Sequence, residues 1–147
     1  MDLQRMYEIG KHVMVVFAGM IVGSVVNMGI VMLGYRLVTP PSGFDLNDPK
    51  QLALALPHFL PVHFVAPFAA HFLGTFTGAL LSALFISGRP SLGPIIIGLL
   101  FLLGGISMAI QVPAPMGFIA LDLGLAYIPS AWLGYLLASR LRSSKKS

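Results

Sequence analysis

Asp122 demands chemistry, because it stands inside the apolar run Ile119-Ala120-Leu121-Asp122-Leu123-Gly124-Leu125. A carboxyl group at that depth costs on the order of 2 to 3 kcal/mol on insertion scales, so it requires a proton, a polar partner or a water-filled cavity. His71 lies in another apolar run, and an imidazole can hydrogen-bond to a carboxylate, relay a proton or hold a metal. Asn27, His63 and Gln111 are further polar side chains within or at the ends of such runs. Together with Asp122 and His71 they form a candidate ligand-binding or proton-binding set. The competing reading is structural: an acid joined to Asn27 or His71 that only fixes how helices associate, with Asn27 as helix glue and His63 at an interface.

Composition states where these residues must sit. Of 147 residues, 56% are hydrophobic and 10% charged, whereas a soluble domain carries about 25% charged residues. Mean hydropathy is positive. Four long apolar runs consume most of the length, which predicts a single all-α membrane domain over 1–147 with transmembrane helices at about 13–34, 62–86, 92–112 and 116–139. Cysteine is absent, which excludes disulfides, thiolate metal sites and thiol nucleophiles. The net charge of +4 comes from basic residues placed beside the apolar runs, where they orient a membrane protein rather than bind nucleic acid.

The first run continues past its apolar stretch into Gly34, Tyr35 and Arg36 without a small-residue cleavage site, so it reads as a retained helix and not as a signal peptide. Gly19, Gly23 and Asn27 recur every four residues and share a stripe that another helix can approach closely. Gly74, Gly78 and Ser82 repeat that spacing in the second helix. There, His63, Pro67, His71, Gly74, Thr75, Gly78 and Ser82 fall within an arc of about 120° at ~100° per residue. Proline lacks an amide proton, so Pro67 and Pro129 predict a kink and freed carbonyls at His63 and Leu125. Residues 35–61 form the one sizeable loop. Within it, Asp48 as cap, Pro49 at the first helical position and Gln51 three residues after the cap predict a short interfacial helix to Leu56, ended by Pro57.

Counting Lys and Arg orients the bundle. With the amino terminus inside, Arg5, Lys11, Arg89, Arg140, Arg142, Lys145 and Lys146 are internal, and Arg36 and Lys50 external. Both termini are then cytoplasmic, and Asn27, His63, His71, Gln111 and Asp122 share the outer half of the bilayer. At about 1.5 Å per residue Asp122 lies roughly 8 to 10 Å below the outer boundary. A polar pocket between four helices, open to the outside, is the predicted site.

Metal chemistry has the right ligand types in His58, His63, His71 and Asp122, but no pair of histidines four apart with an adjacent glutamate. Bis-histidine haem ligation lacks a second deep histidine, since His12 lies near the inner surface. No nucleotide-binding glycine loop and no serine elbow is present. The reading therefore assigns no cofactor, no metal and no catalytic residue. It leaves three activities: a helix-packing accessory protein, a small-solute or proton transporter using the Asp122/His71/Asn27 pocket, and a metal-dependent intramembrane enzyme. The expected partners are the lipid bilayer and, through the stripes of Gly19, Gly23, Gly74 and Gly78, a second copy or other membrane proteins.

Gly23-Ser24-Val25-Val26-Asn27-Met28, Ala70-His71 with Gly74-Thr75, Gly104-Gly105, Pro113-Ala114-Pro115, Leu121-Asp122-Leu123, and Tyr127-Ile128-Pro129 with Ala131-Trp132-Leu133-Gly134 resemble a group of small four-helix bacterial inner-membrane proteins. The likeness spans about residues 13 to 138. It implies the four-helix topology and a bacterial inner-membrane location, and it carries no ligand or catalytic residue across.

Overall fold

The computed structural model describes residues 2–144; Lys145 and Lys146, counted in the charge balance, lie outside the described residues. The chain is all-helical, with no strand among the described residues. Four helical segments are long and apolar enough to cross a membrane: Leu3–Leu37, Pro61–Phe85, Leu92–Gln111 and Met116–Ser144. These mark a multi-pass membrane protein.

Helix α1 covers Leu3–Leu37 and starts about ten residues earlier than the apolar run. The polar amino-terminal stretch holds ordinary helix formers, and the Asp2 carboxylate accepts from the Gln4 backbone amide at 3.4 Å to cap it. The 35 residues of α1 extend roughly 52 Å at ~1.5 Å per residue, well beyond a hydrocarbon layer of about 30 Å. Helix α2 is Pro49–Ala55, capped by Asp48, whose carboxylate accepts from the Lys50 amide at 2.9 Å. Gln51 does not close the predicted capping box; its side chain accepts instead from Asp45 N.

A 3-10 turn over Pro61–Phe64 leads into α3, Val65–Phe85. The kink expected at Pro67 is not needed, because Pro67 falls in the first turn of α3, where the missing amide would have had no helical acceptor anyway. Helix α4 is Leu92–Gln111. The fourth span is not one helix but two: α5, Met116–Leu125, and α6, Ile128–Ser144, separated at Ala126 and Tyr127. Pro129 in the first turn of α6 explains the break. Beside the break the Ser130 hydroxyl donates to the carbonyls of Ala126 and Tyr127 at 2.5 and 2.9 Å. Side-chain donors of this kind help a broken helix persist inside a bundle.

Helix α3 is the central element, packing on α1, α4 and α6. Its contact with α1 is built on glycine. A Cβ placed on Gly19 would stand 2.8 Å from the Gly78 carbonyl oxygen, and one on Gly23 or Gly74 2.7 Å from the oxygen of the other. The two backbones meet directly in antiparallel register, Gly19 beside Gly78 and Gly23 beside Gly74. In lipid, apolar side chains gain little by leaving the solvent, so close backbone approach and van der Waals contact hold the pair. The interior follows the same rule: Ala70, Ala79, Ala83, Ala131 and Ala138 are buried, while Phe17, Val25, Leu103 and Trp132 face outward.

The ends of the bundle differ. At the terminal end, where α1 begins and α3 and α6 finish, Arg142 donates through Nη1 to the carbonyl oxygens of Ala83 and Ile86 at 2.8 and 2.9 Å. It closes the carboxyl end of α3 with a cation, where the helix dipole favours one. At the opposite end, residues 38–64 fold over the bundle.

Candidate functional site

The break in the fourth span builds the site. On a straight helix Tyr127, five residues after Asp122, would point about 140° away from it. With the helix interrupted at Ala126, the Tyr127 hydroxyl instead donates to Asp122 Oδ2 at 3.1 Å. From α3, His71 brings Nδ1 to 2.8 Å from Oδ1 and 3.0 Å from Oδ2 of the same carboxyl group. The imidazole also stacks on the Tyr127 ring, with centroids 5.6 Å apart and planes 28° off parallel. Asp122 and Tyr127 are 5% and 3% exposed. One carboxyl group, one phenol and one imidazole therefore join two spans.

Gly105 on α4 makes the arrangement feasible. A Cβ there would collide with the hydroxyl and ring of Tyr127, so only a residue without a side chain lets the phenol lie under Asp122.

Above the triad lies a cavity of about 400 Å³. Its floor is His71, Asp122 and Gly105; its walls come from α1, α3, α4 and α5; its roof includes Leu52 and Leu56 of the segment that begins with α2. The lining is predominantly apolar, with Met28, Met32, Phe64, Met108 and Phe118 prominent, and Tyr35 and Asn47 add polar atoms near the roof. Concave, apolar spaces with a few convergent polar groups are the usual form of small-molecule sites. The other ring nitrogen of His71, Nε2, has no hydrogen-bond partner among the described residues and is not buried.

The remaining sequence candidates do not join this group. Asn27 lies on the α1 to α3 contact, its Cβ 3.0 Å from where a Gly74 side chain would begin, and it makes no hydrogen bond among the described residues. Gln111 is exposed and turns back on its own helix, donating Nε2 to the Ser107 carbonyl and hydroxyl at 3.2 and 3.1 Å. His63 is a clasp for the covering loop: the Leu60 amide donates to its Nδ1 at 2.8 Å, and its Nε2 donates to the Thr39 carbonyl at 3.3 Å. His58 stacks on Phe44 in that loop. The four-ligand metal set is therefore not assembled, and no cluster of three metal-binding side chains occurs among the described residues.

Shared depth was the reason for grouping these residues, and depth says nothing about which way a side chain turns. Tyr127 escapes the sequence reading because a kink at Pro129 leaves one continuous helix, whereas the structure has two. The signal was present: a proline two residues after a tyrosine that follows the acid by five.

Gly19, Gly23, Gly74 and Gly78 meet one another within the chain, so their stripes are occupied and lend no support to a second copy. Searches against protein families, curated proteins and solved structures find no match to the chain.

Proposed function

We propose that this is a bacterial inner-membrane protein with cytoplasmic termini that binds a small lipid-soluble molecule in the cavity roofed by α2, using His71 as the polar contact. The Lys and Arg asymmetry and the likeness to small four-helix inner-membrane proteins support the location. One observation carries the binding role: the carboxyl group of Asp122 is engaged by His71 Nδ1 and the Tyr127 hydroxyl, while His71 and Asp122 both line a cavity of about 400 Å³. A pair serving only to glue helices together has no need of open space beside it.

This reading is favoured over passage of a solute across the membrane. Below the triad the bundle closes on Ala79, Ile97 and Ala131, with Val16, Met20 and Phe101 packed against them, and a path would have to open through backbone-to-backbone contacts. It is also favoured over an accessory role, because the glycine stripes that suggested one are used internally.

The test is to purify the protein in a mild detergent and identify small molecules that remain bound, by native mass spectrometry and solvent extraction. Wild type is expected to carry a stoichiometric apolar molecule that Ala109→Trp, which fills the cavity from α4, does not. An empty wild-type protein that also ignores added lipid-soluble compounds would remove the binding role.

A further inference from the structure

The charge balance of the cavity defines the kind of head group it accepts. Its lining contains no lysine and no arginine; the ionisable side chains are His71, Asp122 and Tyr35. His71 Nδ1 is taken up by Asp122, whose Oδ2 accepts from the Tyr127 hydroxyl, so Nε2 is the ring atom left for a ligand. An imidazole N–H there is matched by a carbonyl oxygen. An anionic head group would stand beside Asp122 with no lysine or arginine in the lining to balance it.

The walls define the rest of the molecule. Tyr35 and Asn47 contribute the other polar atoms, near the roof, and most of the lining is aliphatic, aromatic or methionine. Thioether and aromatic surfaces adapt to flat, polarizable groups. Helices α1 and α4 touch where Phe101 reaches Gly23, and Met28, Met32 and Met108 of the same two helices line the cavity while remaining 59%, 54% and 40% exposed. Flexible thioether side chains of this kind can move aside to admit a ligand.

We infer that the cavity takes a neutral, lipid-soluble molecule headed by a carbonyl oxygen, such as a substituted quinone ring, which enters from the bilayer between α1 and α4 and accepts a hydrogen bond from His71 Nε2. This rests on the binding role above and specifies its ligand. The ring occupies the enclosed volume, and a longer apolar tail leaves through the methionine wall into lipid.

The experiment is calorimetric titration of the full chain in lipid nanodiscs with three probes that share a decyl tail: a decyl-substituted dimethoxy-methyl-benzoquinone, decylbenzene, and a decyl carboxylate. Wild type is expected to bind the quinone at least about tenfold more tightly than either control, as for a hydrogen bond to a buried donor. His71→Phe, checked for folding by circular dichroism and gel filtration, is expected to erase that preference. If this variant does not fold, the ranking of the probes on wild type decides alone. Equal binding of quinone and decylbenzene, both lost in Ala109→Trp, overturns the carbonyl head while leaving the cavity a ligand site. Tighter binding of the carboxylate overturns the neutral head in the same way. Failure of all three probes to bind overturns the binding role itself.

Discussion

The two halves of the bundle solve opposite problems with the same helices. Towards the terminal end, α3 meets α1, α4 and α6 through glycine and alanine, until the carbonyl oxygens of one helix occupy the place where another would carry a Cβ. Towards the loop end, larger flexible side chains of α1, α4 and α5 line about 400 Å³ of open space. The difference teaches that the polar triad lies at the boundary between a closed and an open region. Its lower side is fixed by close packing, and its upper side faces the cavity.

Substitutions can break or sharpen that contrast. The largest effect is expected from Gly78→Leu: the new side chain would begin 2.6 Å from the Gly19 carbonyl oxygen, a backbone atom that cannot rotate away. Loss of at least about 3 kcal/mol is expected from such overpacking, measured as unfolding in mixed micelles of increasing SDS fraction. A bulky residue placed in each half gives the sharpest comparison. Ala131→Trp in the closed half is expected to lose about 3 kcal/mol, whereas Ala109→Trp in the open half changes stability by less than about 1 kcal/mol. Equal losses would show that the cavity is not real space.

At the boundary itself, Asp122→Ala strands both His71 and Tyr127 and is expected to lose about 2 kcal/mol. Tyr127→Phe removes one hydrogen bond and is expected to lose about 0.6 kcal/mol. The smallest effects belong to Asn27→Ala and Gln111→Ala, each within about 0.5 kcal/mol in the same assay, because neither side chain reaches the triad. A loss at Asn27 as large as that at Asp122 would return it to the site.

The four spans were legible from hydropathy because length and apolar character are properties of local sequence. The association of Asp122 with His71 was legible as a need, since an acid in lipid must find a partner. Its geometry was not. Asn27 and Gln111 lie at similar depth but differ in azimuth, and azimuth depends on how α1 and α4 rotate to bring Gly23 against Gly74 and Gly105 over Tyr127. The position of Tyr127 required knowing that Pro129 breaks the helix rather than merely bending it. The cavity was illegible for a related reason: it is lined by residues from α1, the loop, α3, α4 and α5, and no single segment encodes the space left between them.

Arg142 ties these observations to the order in which the chain is made. It completes the carboxyl end of α3 by reaching across 59 residues of sequence to Ala83, so α3 leaves the ribosome long before its closing cation exists. Nascent chains interrupted ahead of this arginine would lack the donor that serves the carbonyls of Ala83 and Ile86 at the end of their central helix.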